Sequence, residues 1–411
     1  MLFRSAEVPD VDKRDLYRRL GEVRDLAGMY EQSLDAFRLA LRLSQEDPLM
    51  SAALLRQRAQ VRQRSGAFGP ALAELSKAER MLDGETSVEA RRTRVRLRSV
   101  RAGIRLEQER LQDALDIAST LLDEARETGE FEALEQALLT MDVAGFQLGD
   151  TSVGERTREA LAVMNARGNS LRAFAAHGNL GGFAYYAGRW DEAVESFAAG
   201  RAAAQEVGDV VGSAIVALSL GEVLASQRRF DEADAVLADA VRVLRVSGVP
   251  AFAAYGEVHR ARVLLGRGDV EAAERHAQDA ELELVALGQK VSALEAALVR
   301  VEALTRQGRT EDALTLLESN AGSATGEGVA LQPRINLERA RAASAEGRYD
   351  EALAETASGV ALADQYSLPF ERAQLLRLQA EVRTRAGDRE GARADADEAA
   401  EVLRGLGVLD S

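Results

Sequence analysis

The sequence predicts an all-α fold, a solenoid of about ten helix hairpins stacked in chain order across residues 1–411. Three observations point there. Leu and Ala, both good helix formers, carry the apolar content: hydrophobic residues make up 46% of the chain, aromatics only 5%, and prolines number six. A short turn recurs at a nearly constant interval, and a small residue recurs at a fixed distance behind it. Strands would instead need short alternating runs of Val, Ile, Thr and aromatics, and none persists. Length alone suggests several domains, but in a repeat array each unit packs only on its neighbours, so no single core has to grow.

The turn is a glycine, one residue, an aromatic or apolar residue, then acidic residues and alanine. It stands at Gly28-Met-Tyr30, Gly66-Ala-Phe68, Gly188-Arg-Trp190-Asp-Glu-Ala193, Gly268-Asp-Val270, Gly308-Arg-Thr310 and Gly347-Arg-Tyr349-Asp-Glu-Ala352, with weaker copies at Glu109, Gly149, Arg228 and Gly387. Successive steps are 38, 43, 40, 39, 40, 40, 40, 39 and 40 residues. Each unit reads as helix A, a tight turn, helix B and a short linker. Glycine suits the turn because helices commonly end on a left-handed residue, which glycine adopts most cheaply. The acidic pairs Asp191-Glu192, Asp231-Glu232 and Asp350-Glu351 then face the positive end of the dipole of helix B. Pro70 at the start of one helix B, and Pro48, Pro250, Pro333 and Pro369 near the starts of A helices, stand where a missing N–H costs nothing.

Five residues past the turn the chain reads Ser33, Ala71, Ala114, Gly154, Ala193, Ala233, Ala273, Ala313, Ala352 and Ala392, all small, so helices A and B are expected to approach closely there. A second small column lies seven residues before the turn, at Gly21, Ala59, Ala102, Gly181, Gly221, Ala261, Ala340 and Ala380, and Asp142 and Val301 break it. The fourth unit lacks an aromatic after its turn, and Gly149 to Gly154 reads as a looser connection. The turn-type residues from Ser319 to Gly328 predict a flexible insertion near 319–332.

A net charge of −15 argues against nucleic acid as a partner, since the long-range field repels phosphate. The absence of cysteine excludes disulfides, zinc–thiolate sites and thiol nucleophiles. Residues 1–10 carry no secretory signal, and no run of about 18 apolar residues is present to cross a bilayer, so a cytoplasmic protein without membrane contact is expected. Lys13, Lys77 and Lys290 are the only lysines, and none stands in a phosphate-loop context. His177, His259 and His276 lie in different units without metal-ligand spacing, and read as packing or surface residues. Gly178 to Gly182 superficially suggests a phosphate cradle, but no strand precedes it and Gly181 already serves close packing. No cofactor, metal or catalytic residue is predicted. The run Arg91 to Arg101 is the one strongly basic segment. With Arg58, Arg101, Arg260, Arg300 and Arg339 recurring eight residues before the turn, it is expected to pair with carboxylates of neighbouring helices such as Asp113, Asp116 and Asp123.

Leu180-Gly181, Gly188-Arg-Trp190, Ala193 and Phe197, with the parallel sets Leu220-Gly221, Phe230, Ala233, Leu237 and Leu20-Gly21, Gly28, Tyr30, Phe37, resemble the tetratricopeptide repeat, over nearly the whole chain. Units of forty residues rather than 34 are similar to the longer variant of large bacterial signalling ATPases, maltose-regulator-type activators and peptide-sensing regulators. The Ala/Arg-rich wording and the closing Leu403 to Val408 resemble the C-terminal repeats of actinobacterial class III nucleotide cyclases that carry an ATPase module. The resemblance implies a right-handed superhelix whose A helices line a concave groove. In that register the inward residues are Phe146, Asn179, Tyr185, Tyr186, Glu222, Tyr255 and Arg262. The expected function is a non-catalytic scaffold or sensory domain binding a protein or peptide in the groove. The alternative is a peptide- or small-molecule-responsive domain controlling an effector (nucleotide cyclase, ATPase or transcription activator) outside this chain.

Overall fold

A computed structural model describes residues 9–408 apart from 27–28, 109, 149, 151–152, 169 and 323–330. Among these, twenty α-helices and no strand are present. The chain divides into two compact units, residues 1–168 and 169–411. The first holds the hairpins α1 (Asp10–Leu26) with α2 (Tyr30–Arg42), α3 (Pro48–Arg64) with α4 (Phe68–Met81), α5 (Val88–Glu107) with α6 (Leu111–Thr128), and α7 (Phe131–Gln147) with α8 (Glu155–Ala166). The second holds α9 (Ser170–Tyr186) with α10 (Trp190–Glu206), α11 (Val210–Ser226) with α12 (Phe230–Val246), α13 (Pro250–Arg267) with α14 (Val270–Ala286), α15 (Lys290–Arg306) with α16 (Thr310–Ala321), α17 (Gln332–Ala345) with α18 (Tyr349–Gln365), and α19 (Pro369–Ala386) with α20 (Arg389–Gly405). Odd-numbered helices are the A helices. Within each unit the hairpins stack in chain order, so the fold is an α-solenoid.

The turn glycines behave as their spacing requires: Gly66, Gly188, Gly268, Gly308, Gly347 and Gly387 all have φ between +73° and +89°. Gly28, Glu109 and Gly149 lie outside the described residues, as do residues 323–330 of the expected insertion; its flanks, 319–321 and 332, belong to α16 and α17. The small column is buried. Ser33, Ala71, Ala114, Ala193, Ala233, Ala273, Ala313 and Ala352 are all wholly inaccessible. The second column meets the B helix of the same hairpin. A Cβ on Gly21, Gly181 or Gly221 would stand 2.8, 2.6 or 2.5 Å from Phe37, Phe197 or Leu237. Helices A and B are therefore in contact at the distance glycine permits, and no larger residue fits without displacing a ring or a branched side chain.

Asp142, which breaks that column, has a different task. It is fully buried, and one carboxylate oxygen accepts from the backbone N–H groups of Gly154 and Thr157 at 2.9 and 2.7 Å. The other faces Arg156 at 3.2 Å. Gly154, at φ +108°, cannot cap α8 with a side chain, so a residue from α7 does so.

The basic run sits on α5 and is held by carboxylates, but not by Asp113, Asp116 and Asp123. Arg91 meets Glu127 at 3.1 Å, Arg96 meets Glu130 at 2.7 Å, Arg98 pairs with Glu124, and Arg101 meets Glu79 at 2.6 Å. Because α5 and α6 are antiparallel, the front half of α5 lies beside the rear of α6; Asp113 and Asp116 lie at the front of α6, and Asp123 points to solvent beside Arg126. The recurring arginines tie A to B helices, Arg58 to Glu74 (2.8 Å), Arg260 to Asp234 (3.1 Å), Arg300 to Glu281 (2.6 Å) and Arg339 to Glu318 (3.0 Å).

The second unit also closes on itself. Phe370, at the start of α19, stands 5.0 Å from the Trp190 ring at the start of α10. Leu406 is buried in the same cluster as Trp190, Leu224 and Leu237, and its carbonyl accepts from Gln227 Nε2 at 3.3 Å. A Cβ on Gly188 would touch Leu406 at 3.3 Å. The last hairpin thus packs on the turns of the first two.

Two outcomes check this packing. Ala233→Leu should destabilise the chain by roughly 1–3 kcal/mol through overpacking, read from chemical denaturation; an unchanged midpoint would contradict the close A–B contact. Asp142→Ala should cost about 2 kcal/mol, because two buried N–H groups lose their acceptor.

Candidate functional site

The inner wall of the second unit is built from one repeat position. Six residues before the turn, successive A helices present Glu222 (α11), Arg262 (α13), Glu302 (α15), Arg341 (α17) and Glu381 (α19), a ladder of alternating sign. A helix returns the same face every 3.6 residues, so a residue at a fixed register in each hairpin points to the same side of the stack. Neighbouring positions supply Tyr185 and Tyr186 from α9, Tyr255 and His259 from α13, Glu295 from α15, Arg334 and Glu338 from α17, and Glu371 from α19.

Two charge clusters result. In the first, Arg262 meets Glu295 at 3.2 Å and Glu222 at 3.5 Å, and Arg334 meets Glu295 at 3.6 Å. In the second, Arg341 meets Glu338 at 2.6 Å and Glu302 at 3.1 Å. These groups lie deep yet retain contact with water: the side chains of Arg262 and Glu222 are 24% and 23% exposed. The wall therefore borders open space rather than a packed core.

Depth sets the protonation states. Burial, followed by Glu222, pushes the Tyr185 phenol well above its ordinary value, and burial does the same more weakly to Tyr186. The Glu222 charge, followed by burial, raises Tyr255. All three hydroxyls stay protonated and can donate or accept. Burial raises Glu222 and Glu371 despite their arginine neighbours. Burial also works against the Arg262 charge, but Glu295 and Glu222 outweigh it and hold the guanidinium firmly charged. Burial, with Arg262 nearby, lowers Arg334, the cation with the poorest ion pairing of the group. Burial holds Glu338 up to about 7. His259 is wholly inaccessible and lies edge-on to Tyr255 with centroids 4.5 Å apart. Burial and Arg262 lower it to about 3, so its ring is neutral.

Of the residues expected in the groove, Tyr185, Tyr186, Glu222, Tyr255 and Arg262 come together. Asn179 is half-buried on α9, two turns before the tyrosines. Phe146 lies on α7 in the other unit. Tyr185 has a second job, stacked at 5.4 Å on Trp190, whose Nε1 donates to the Tyr185 carbonyl at 3.1 Å. Tyr186 is edge-on to it and 48% exposed. The sequence reading missed Glu295, Glu302, Arg334, Glu338, Arg341 and Glu371. The signal for Glu302 and Arg341 was present, since both repeat the register of Glu222 and Arg262. Among the other histidines, His276 faces Glu257 at 3.3 Å, and burial lowers His177. No group of three metal-ligating side chains occurs among the described residues, and no described helix is long and apolar enough to cross a membrane.

Comparison with known proteins supports this architecture. The family model described as "Tetratricopeptide repeat" matches residues 172–245, the first two hairpins of the second unit. Among solved structures, a Rap protein complexed with Competence and Sporulation Factor is 12% identical with a TM-score of 0.63, over 87% of this chain and 99% of that one. The Rap conjugation gene regulator of the plasmid pLS20 in complex with the Phr* peptide is 14% identical, TM-score 0.53, over 97% of both chains. A signal-transduction ATPase with numerous domains and a tetratricopeptide repeat sensor, from Pyrococcus horikoshii, is 12% identical, TM-score 0.59, over 76% of this chain and 48% of that one. At these identities the likeness is one of fold. No curated protein sequence matches.

The Glu338 environment has a testable sign. Its folded value of about 7 lies above the ordinary 4.5, so between those pH values the folded protein holds a proton that the unfolded chain has released. Its contribution to stability is complete below 4.5 and is lost as pH rises through 7. Glu338→Gln should therefore gain stability relative to the parent as pH rises from 4.5 to beyond 7, measured by urea denaturation across that range. A constant difference between the two proteins would contradict the assignment.

Proposed function

We propose that this chain is a regulatory, protein-interaction domain whose second unit receives a short peptide against the wall formed by Tyr186, Glu222, Tyr255, Arg262 and Arg334. One observation carries the reading: a deep, water-contacting wall sets tyrosine rings beside charged groups that have to share partners, Arg262 and Arg334 both meeting Glu295. Arg334 shares Glu295 with Arg262, which holds it more closely. Burying such groups is unfavourable unless something pairs with them. A peptide offers what they lack, backbone carbonyls and amides together with charged ends. The enclosed wall suits a segment with rotatable bonds better than a folded surface. The fold likeness to a Rap regulator in complex with a Phr* peptide is consistent with this.

Phe146 and Asn179 are carried over from the family register as outer contacts. The likeness to a multidomain ATPase with a tetratricopeptide repeat sensor supports a second element, that the domain reports ligand occupancy to an effector. The resemblance of the repeats to those of nucleotide cyclases and maltose-regulator-type activators names the candidate effector classes.

The test is retention of synthetic peptides five to ten residues long from a random pool, resolved by gel filtration and mass spectrometry. The full chain should retain a restricted set. The double variant Tyr186→Ala, Glu222→Gln should lose it by at least about tenfold with an unchanged melting temperature. Tyr185 is left intact because it supports Trp190. Equal retention by a folded double variant would remove this wall as the site.

A further inference from the structure

Closure of the second unit leaves an open cleft of about 780 Å³ between α19, α20 and the turn that joins α11 to α12. Its chemistry differs from the rest of the molecule. Four arginines line it from three elements: Arg377 on α19, Arg389 and Arg393 on α20, and Arg228 at the turn. Elsewhere in the chain most arginines are tied to carboxylates. Here, among the described residues, Arg393 alone has one within 4 Å, Asp397 at 3.7 Å. Glu381 is the one carboxylate in the lining and bridges none of the four. Arg228, Arg377 and Arg389 thus bring three guanidinium groups without a carboxylate partner among the described residues to one place, Arg377 and Arg389 on the exposed side, in a protein with a net charge of −15.

Arg228 supplies an independent observation. It has φ +66°, and with Ser367 it is one of two non-glycine residues in the left-handed region among those described. The other five hairpins of this unit have glycine at the same turn position. A left-handed non-glycine residue costs about 1 kcal/mol, and a strained residue at the rim of a cavity is a pointer to a role there. Its guanidinium is steered over the Phe230 ring, 5.9 Å from the centroid, rather than towards a carboxylate.

The floor is apolar. Ala392, Ala396 and Ala400 on α20 line it together with Leu403 and Val408. The volume falls in the range of small-molecule sites. Guanidinium groups recognise carboxylate and phosphate in a planar, two-pronged manner. We infer that this cavity binds an amphiphilic organic anion, a carboxylate or phosphate monoester on an apolar body, with Arg228, Arg377 and Arg389 on the anionic head and the alanine floor under the body. Because the lining joins the last hairpin to the turn of an early one, the occupant fastens the closure of the unit. The inference stands independently of the peptide reading.

Isothermal titration of the full chain with octyl phosphate, octanoate, inorganic phosphate and octyltrimethylammonium tests it. Octyl phosphate and octanoate should bind with an affinity that falls as salt rises, and the ammonium probe should not bind. Arg377→Gln with Arg389→Gln should weaken octyl phosphate by at least about tenfold. Arg228→Gly separates the ligand role from a structural one: it should raise the melting temperature of the empty protein, by removing the left-handed strain, while weakening the anionic probes. Equal binding of anionic and cationic probes overturns the inference, as does wild-type affinity in the double variant or failure of every probe to bind. Inorganic phosphate binding as tightly as octyl phosphate overturns the amphiphile class, because the apolar floor then plays no part.

Discussion

Close approach of two helices through residues no larger than alanine is the constraint on which the rest of this structure depends. Phe197 and Leu237 occupy the space that a side chain on Gly181 or Gly221 would need, and Ala193 and Ala233 are wholly inaccessible. Tight hairpins leave each helix two usable faces, one against its own partner and one against the next hairpin. The apolar clusters are correspondingly local, as in the group running from Ala254 and Val258 to Ala296 and Ala303. A stack of this kind is stabilised by nearest-neighbour interfaces. Alanine contributes little buried area per contact. The Arg–carboxylate bridges from A to B helices add orientation to these interfaces, and partly exposed pairs of this type contribute little more than that.

That arrangement frees the third face of each A helix. In the second unit this face carries Glu222, Arg262, Glu302, Arg341 and Glu381 at one register. Alternation of sign lets each charge lean on the helix before or after it, as Arg262 does on Glu222 and Arg341 on Glu302. Partial pairing tolerates the depth without satisfying every group. Arg334 and Glu338 show the cost directly, one guanidinium lowered by burial and one carboxyl raised by it. Such a wall keeps its charges at a desolvation cost that its own ion pairs offset only in part.

Much of the fold was legible because it is periodic. The turn glycines, the alanine column and the proline positions each report a contact between residues a few or a few dozen positions apart, and such contacts repeat. Part of the wall was legible for the same reason, since Glu222 and Arg262 follow from register; continuing that register by forty residues reaches Glu302 and Arg341. Asp142 was read as a break in a column, because a carboxylate that caps a helix twelve residues on leaves no mark on the period. The carboxylates facing Arg91 to Arg101 were misplaced because periodicity says which helices are neighbours but not which ends of antiparallel helices meet.

Closure of the second unit was invisible for a deeper reason. The hydrogen bond from Gln227 to Leu406 joins residues 179 apart, and nothing local to either residue encodes it. Leu406 and Phe370 look like ordinary apolar positions in their own hairpins; only the curvature accumulated over four intervening hairpins brings them to Trp190. Each hairpin's small rotation is set by its own packing, so closure is a sum over many contacts and sensitive to all of them. The seam is also narrower than the interfaces along the stack, resting on Trp190, Phe370, Leu406 and Gln227. Elements with few buried contacts open at lower free energy than the body they belong to. The wall and the seam share the same six A helices, so the curvature set by packing along the wall is the curvature that the seam has to match.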